Sequence, residues 1–211
     1  MARCRTLIRE RTGNRRSLDD FARRFFSATT RGDWQPRTYT FEDIVATLNA
    51  VMPYDWDTFL RERIEAQGTE PPLDGVTRGG YRLVFRSQRS EYQRTAESRN
   101  RNADFTYSIG VGLGSDGNIT SVQWDGPAFN EGLAVGSQIV AVNGVSYSAD
   151  GMRRAIEAAA DGATPIELLV KSGDQYRAIT LNYHDGLRYP HLERIRGASD
   201  RLGAILTPRR N

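Results

Sequence analysis

The stretch Tyr107–Gly144, YSIGVGLGSDGNITSVQWDGPAFNEGLAVGSQIVAVNG, decides the fold predicted for this chain. It contains, in order, an apolar-Gly-apolar step, a Gly-Pro-Ala corner, a Gly-Leu-x-x-Gly turn and an apolar run that ends in Asn-Gly. Short apolar runs separated by such turn residues are typical of a small β-rich domain. A loop of free backbone amides can hold a carboxylate, and the strand edge that follows it can accept a peptide as an extra strand. The pattern therefore predicts a binding domain.

Beyond residue 104 the apolar residues recur with a period of two, which indicates strands. We predict five strands in this part, with an amphipathic helix between the third and the fourth. The strands are 105–113, 118–124, 138–143, 165–171 and 176–183, and the helix is 149–160.

The first third of the chain has helical periodicity instead. Ser17 and Thr40 each precede an apolar stripe and have Asp three residues later, as in a capping box, and Asp55 can cap a third helix. Pro53 ends the second of these helices. Four aromatic side chains of this part form more apolar surface than three short helices can bury, so we expect an exposed patch or self-association. They are Phe25, Phe26, Trp34 and Trp56.

Three segments connect the helical part to the β-rich part. Residues 69–80 combine Pro and Gly and indicate a loop, and 81–86 alternate as a strand does. The polar run 87–104 is either a solvated helix or a mobile connection. The predicted division is a helical segment 1–68, a linker with one strand 69–103, a β-rich domain 104–187 and a tail 188–211.

Composition excludes several classes of partner. The 211 residues carry a net charge of +3, and Arg alternates with Asp and Glu, so we expect no nucleic-acid interface. No apolar run approaches the roughly 20 residues that span a bilayer, so we expect no membrane partner. Cys4 is the single cysteine, which excludes an internal disulfide. The start is too polar for a signal peptide, and its Arg-rich helical stretch without an N-cap indicates a piece of a longer protein. Composition does not separate a cytoplasmic from a periplasmic protein.

Residues 104–184 resemble a PDZ domain of the bacterial type. Ser108-Ile109-Gly110-Val111 stands where that family has its carboxylate-binding loop. Asp125-Gly126-Pro127-Ala128, followed by Gly132-Leu133 and Gly136, matches the short helix and turn, and Ile139–Gly144 matches the signature strand. The resemblance implies an α+β fold in which the helical segment precedes a five- to six-stranded β-sandwich or partly open barrel with two helices.

The resemblance also implies a site for the C-terminus of a peptide or protein. Ser108, Ile109, Gly110 and Val111 would bind the peptide carboxylate, with Ile109 and Val111 lining the pocket for the last side chain. The peptide groove would be formed by Gly112, Leu113, Ala149, Arg153 and Ile156. The helix lacks the His with which many PDZ domains read a ligand Ser or Thr, so Arg153 either favours an acidic ligand residue or is merely solvated. An ordinary hairpin with a glycine bulge, its groove empty or filled by the chain itself, is the alternative.

The remaining residues resemble the glycyl aminopeptidase family of gluzincin zinc metallopeptidases, in the region that follows the catalytic helices. The blocks that carry this resemblance are LIRERTGNRRSLDDFARRFF, YTFEDIVATLNAVMPYDWDTFLRERI, GGYRLVF and HDGLRYPHLERIRGASDRLGAIL. It implies zinc in a bacterial parent protein and an upstream catalytic domain as partner. This chain lacks His-Glu-x-x-His, so we expect no catalytic residue, no metal site and no cofactor in it. His184 and His191 are expected to make structural hydrogen bonds that dock the tail.

Three hypotheses about function follow. The first is a non-catalytic C-terminal fragment of a glycyl-aminopeptidase-like peptidase, whose PDZ-like domain binds peptide C-termini or substrate by strand addition. The second is a stand-alone adaptor for partner C-termini. The third is a PDZ-like domain whose groove is occluded by residues 86–104 or by the tail and which has a structural role.

Overall fold

The computed structural model describes residues 2–26, 38–65, 72–162 and 164–207. The chain divides into two compact units, a helical unit of Met1–Leu83 with Leu192–Asn211 and a sheet unit of Val84–His191. The predicted α+β class is confirmed, since helices combine with several antiparallel sheets that do not close into a barrel in the described ranges. Trp34 and residues 66–71, where the predicted linker begins, lie outside the described residues.

The helices and strands follow the chain in this order. They are α1 Ala2–Arg11, α2 Leu18–Phe26, α3 Phe41–Val51, α4 Trp56–Ile64, α5 Asp74–Arg78, β1 Tyr81–Arg86, α6 Glu91–Asn100, β2 Asn102–Phe105, β3 Val111–Gly114, β4 Ile119–Val122, α7 Pro127–Asn130, β5 Gln138–Val142, β6 Val145–Ser146, α8 Ala149–Ala159, β7 Ile166–Ser172, β8 Gln175–Leu181, β9 Tyr189–Arg194 and α9 Arg201–Leu206.

The helical unit has the predicted caps at Thr40 and Asp55. Thr40 accepts the backbone N–H of Asp43, and the Asp43 carboxylate accepts the N–H of Thr40, which completes a capping box at the start of α3. Asp55 caps α4 by accepting the N–H of Thr58 at 3.1 Å. Trp56 is fully buried at the centre of this unit's core, whereas Phe26 is 67% exposed. One of the four aromatic residues is thus exposed and one is buried, so the predicted exposed patch and self-association both stay predictions.

The sheet unit contains two antiparallel sheets that enclose one apolar core. One has three strands in the order β2-β3-β4, and the other has four in the order β6-β5-β7-β8. Helix α8 contributes Met152 and Ile156 to the core, both fully buried. Strands β1 and β9 form a separate two-stranded sheet, within which the division between the units falls.

One predicted strand is wrong in an informative way. Residues 105–113 do not form a continuous strand, because the chain turns at 106–110 and reverses into a hairpin. Gly110 has φ +83°, a conformation that glycine adopts without steric cost. The apolar-Gly-apolar step therefore ends one strand and starts its antiparallel neighbour. The other four predicted strands and the helix 149–160 are present within two residues of their predicted ends.

The polar run 87–104 forms a helix rather than a mobile connection. Ser90 caps α6 with a capping box: its hydroxyl accepts the backbone N–H of Gln93, and the side-chain oxygen of Gln93 accepts the N–H of Ser90. Helix α6 leads directly into β2, so these residues belong to the sheet unit and not to a linker. The tail beyond His191 groups with the helical unit, where Arg201 and Leu202 donate backbone hydrogen bonds to the carbonyl of Gly79. The compact units thus differ from the predicted domain boundaries.

Candidate peptide-binding groove

The loop Ser108–Val111 has converging backbone amides, and these amides already have an acceptor. The N–H groups of Ser108 and Gly110 both donate to the carbonyl oxygen of Phe105 at 3.0 Å. Ser108 is 5% exposed, and Ile109 and Val111 are fully buried. A carboxylate could reach these two amides only by displacing Phe105. Two amides of the loop thus close a turn on an oxygen of the chain itself, and carboxylate binding by Ser108, Ile109, Gly110 and Val111 stays a prediction.

The side chains of this loop face the core. Ile109 and Val111 were expected to line a pocket for the last side chain of a ligand. Both pack instead in the same buried cluster as Phe105, which is 1% exposed. The apolar ring beside Ile109 and Val111 is thus that of Phe105, a residue of the same chain. The prediction of an open pocket lined by Ile109 and Val111 is therefore wrong.

Strand β3, which contains Gly112 and Leu113, has no free edge. It pairs antiparallel with β4 on one side and with β2 on the other. In the β2 pairing Phe105 stands opposite Val111, and Asn102 opposite Gly114. The predicted exposed edge at 111–114 is therefore wrong, since the turn at 106–110 folds β2 back onto it. The assignment of Gly112 and Leu113 to peptide binding stays a prediction for a form in which β2 has left.

The groove helix α8 presents its predicted residues toward the interior. Ile156 is fully buried, and Ala149 packs against the core from its edge. The side chain of Arg153 is only 13% exposed and donates to Glu97 at 2.8 Å and to Asp150 at 2.7 Å. Its guanidinium carbon lies 5.6 Å from the centre of the Phe105 ring. Arg153 is therefore ion-paired within the unit, and its interpretation as a merely solvated side chain is wrong.

Glu97 of helix α6 connects three elements of this site. Its carboxylate accepts from Arg89 at 2.6 Å, from Arg153 at 2.8 Å and from the backbone N–H of Asp104 at 3.0 Å. The side chain of Glu97 is 8% exposed, so this is a buried carboxylate with charged and neutral donors. The N–H of Asp104 belongs to the outer edge of β2. Glu97 therefore links the strand that fills the groove to the helix that borders it.

The electrostatics of the site agree with this arrangement. Burial acts to lower the pKa of Arg153, but neighbouring Tyr189 and the Glu97 carboxylate outweigh it and raise the pKa above its usual value. For Tyr189, by contrast, burial itself raises the pKa. Desolvation raises the pKa of Tyr147 to about 12, with Asp116 and Glu97 adding in the same direction. Arg153 is thus held in its charged form, while both tyrosines are neutral at physiological pH.

Ser108 has a second set of neighbours. Its hydroxyl accepts the backbone N–H of Arg188 at 3.0 Å, and the Arg188 guanidinium lies 4.7 Å from the centre of the Phe85 ring. These residues line a cleft of about 340 Å³ that also includes Tyr107 and Asp125. The hydroxyl of Ser108 therefore fixes the segment around Arg188, a role distinct from the one predicted for its backbone.

The two histidines make the structural contacts that the sequence predicts. His184 Nδ1 lies 2.7 Å from the carbonyl oxygen of Ala159, and His191 Nε2 lies 2.7 Å from that of Gln88. Among the described residues no three His, Cys, Asp or Glu side chains are grouped so that they could hold a metal ion. The donor atoms in this part of the chain therefore do not fit a zinc site.

Sequence reasoning missed three residues of the site: Phe105, Glu97 and Arg89. The alternation of polar and apolar residues in Asn102-Ala103-Asp104-Phe105 is a short signal for a strand before the loop, and the structure buries its two apolar residues. The burial of Glu97 has no comparable signal, since a Glu in a polar helix is ordinarily solvated.

Comparison with known proteins supports the fold class. No family model matches the sequence, and no curated protein matches it. The structure is similar to an aminopeptidase N family protein from Idiomarina loihiensis, with a TM-score of 0.55 and 14% identity over 96% of this chain and 34% of that one. This chain thus spans about a third of that protein's length. At this identity the similarity shows a shared fold.

A second comparison is with the HtrA3 PDZ domain bound to a phage-derived ligand, FGRWV. It covers 54% of this chain and 92% of that domain at 15% identity, with a TM-score of 0.28, which is too low to carry an argument. In the described part of the chain no helix is both long and apolar enough for a transmembrane span.

Proposed function

We propose that this chain is the C-terminal, non-catalytic part of a glycyl-aminopeptidase-like zinc metallopeptidase. The observation that carries the proposal is the similarity to the aminopeptidase N family protein, which extends over 96% of this chain and so includes both of its units. The sequence blocks that resemble glycyl aminopeptidases come from both units as well. Zinc and the catalytic residues would belong to an upstream domain, because the described donors here do not fit a metal site.

Two measurements test this proposal. The purified 211-residue chain should neither hydrolyse glycyl and alanyl p-nitroanilides nor contain stoichiometric zinc by elemental analysis. The gene upstream of Met1 should encode His-Glu-x-x-His within a few hundred codons. Zinc at one equivalent, or peptidase activity that copurifies with the chain, would refute the non-catalytic role. An in-frame stop codon directly before Met1 would instead favour the stand-alone adaptor.

We infer a structural role for the sheet unit in the form described here. Strand β2 pairs with the edge of β3, and the carbonyl of Phe105 accepts from the amides of Ser108 and Gly110. A peptide therefore cannot pair with this edge of β3 by strand addition. This observation favours the occluded domain over the open adaptor among the three hypotheses. The occluding residues are those of α6 and β2, within the segment 86–104 for which occlusion was considered, together with Phe105.

Peptide titration tests the closed groove. Labelled peptides with a free or an amidated C-terminus should both bind the native chain only weakly, without reaching saturation in fluorescence anisotropy. Saturable binding that requires the free carboxylate would show an open groove and would contradict the structural role.

A further inference from the structure

Strand β2 fills its place in the way a bound peptide would. It runs antiparallel to β3 and ends at the amide loop, with Phe105 opposite Val111. The last carbonyl oxygen of the strand accepts from Ser108 and Gly110, the two amides that would otherwise face a terminal carboxylate. A peptide recognised by strand addition pairs its main chain with the edge of a strand, and its terminal oxygen can accept from a cluster of backbone amides.

We propose that Asn102–Phe105 is a tethered ligand, and that the contacts of the Glu97 carboxylate hold it in the groove. When α6 and β2 are released, the vacated site takes the free C-terminus of a peptide. This inference does not depend on the relation to aminopeptidases, since it rests on contacts within the sheet unit.

The side chains of β2 define the class of ligand. Phe105 and Ala103 are each 1% exposed, whereas Asn102 and Asp104 are half-buried. The site therefore fits a large aromatic residue at the C-terminus and a small residue two positions earlier, with polar residues at the alternate positions. Arg153 lies over the ring of Phe105 and would contact the terminal aromatic ring of a ligand in the same way.

Helix α6 is held in place mainly by one side chain, that of Glu97. Glu97 is the one buried side chain among its ten residues, and it is charged. Apolar packing therefore contributes little to the position of the helix, and the carboxylate contacts with Arg89, Arg153 and the N–H of Asp104 fix it. A segment with few buried apolar contacts opens at low cost compared with the core strands. Strand β2 is held in addition by Ala103 and Phe105, each 1% exposed, and by its pairing with β3. Removal of this carboxylate should therefore release α6 and raise the population in which β2 is open, while leaving β5, β7 and β8 in place.

The test uses the full chain and a fluorescein-labelled peptide of sequence Arg-Asn-Ala-Asp-Phe, which copies residues 101–105. Three variants are compared with the native chain: Glu97→Ala, the isosteric Glu97→Gln, and Glu91→Ala as an exposed control on the same helix. Fluorescence anisotropy gives the affinity for the peptide with a free carboxylate, for its amide and for the version ending in Ala. Hydrogen exchange followed by mass spectrometry reports the release of 91–105 and the integrity of 166–181.

Both Glu97 variants should exchange faster at 91–105 and should bind the free-acid peptide at least about tenfold more tightly than the native chain, because the competing segment is less populated in the groove. The amide and the Ala-terminated peptide should bind weakly to all forms. Faster exchange at 91–105 without a gain in binding, with 166–181 still protected, would overturn the proposal. Equal binding by Glu91→Ala and Glu97→Ala, or unchanged exchange in both Glu97 variants, would overturn it too. If Glu97→Ala loses protection at 166–181, its core strands have opened as well, and the peptide affinity of Glu97→Gln then tests the proposal.

Discussion

The ion pair between Glu97 and Arg153 should contribute measurably to stability, unlike most ion pairs on a protein surface. The two side chains are 8% and 13% exposed, and the closest N–O distance is 2.8 Å. For charges about 4 Å apart in an effective dielectric of about 20, the Coulomb attraction is about 4 kcal/mol, and desolvation of both groups offsets part of it. We expect a coupling free energy of about 2 kcal/mol.

A double-mutant cycle measures this coupling directly. Glu97→Gln and Arg153→Met, alone and together, are compared with the native chain by urea denaturation followed with circular dichroism. The double variant should be more stable than the sum of the single effects predicts, because each single change leaves a buried charge with fewer partners. The exposed pair Arg194 and Asp200, at 46% and 44% exposure, is the control and should couple by less than about 1 kcal/mol.

The dependence on salt separates the two pairs further. At about 1 M salt the coupling of the exposed control should fall toward zero, whereas that of the buried pair should fall much less, since water and ions have little access to it. A coupling below about 0.5 kcal/mol for Glu97 and Arg153 would refute the role given to this carboxylate. The same conclusion would follow if both pairs lost their coupling equally at high salt.

Two further predictions concern a buried and a half-buried aromatic residue, Trp56 and Tyr147. Trp56→Phe should destabilise the helical unit by about 2 kcal/mol, because the indole N–H that donates to the carbonyl of Met52 at 2.9 Å is lost from a fully buried site. Trp124→Phe, at a side chain 76% exposed, should cost less than about 1 kcal/mol, and equal shifts in the urea midpoint would contradict the assignment of Trp56 to the core. Burial raises the pKa of Tyr147 to about 12, so between pH 10 and about 12 the unfolded chain releases a proton that the folded chain retains, and stability falls as the pH rises. Tyr147→Phe should reduce this loss by about 1 kcal/mol after allowance for its partial exposure, and identical pH profiles would contradict the shift.

Helices α2, α3, α4 and α8 could be predicted from the sequence because their signals are local. Helix α5, by contrast, lies within 69–80, which was predicted as a loop, and α9 lies within the predicted tail. Thr40 and Asp43 supply a complete capping box, and an apolar stripe follows it at helical spacing. Pro53 lies just beyond the end of α3, where it cannot interrupt the hydrogen bonds of the helix. Each of these signals lies within one or two turns of the boundary that it determines, so the predicted ends agree with the structure.

The state of the groove could not be predicted because it depends on pairing across the chain. The run from Phe105 to Leu113 has the period of a continuous strand, and nothing local shows that Gly110 reverses it. Glu97 and Arg153 are 56 residues apart, and each alone is typical of a solvated helix face. Carboxylate binding by the loop Ser108–Val111 stays a prediction, because the amides of Ser108 and Gly110 donate to the carbonyl of Phe105, only a few residues earlier.

Tethering explains why so short a strand can keep the groove closed. Residues 106–110 connect β2 to β3, and a segment on a short tether competes at an effective concentration in the millimolar range. If the segment alone bound with a Kd of about 100 μM and the effective concentration were about 10 mM, the closed form would predominate by about 100 to 1. A free peptide would then bind about 100-fold more weakly than to the open site. The contacts of Glu97 increase this ratio, so the gain in peptide affinity on its removal measures its share of the closure.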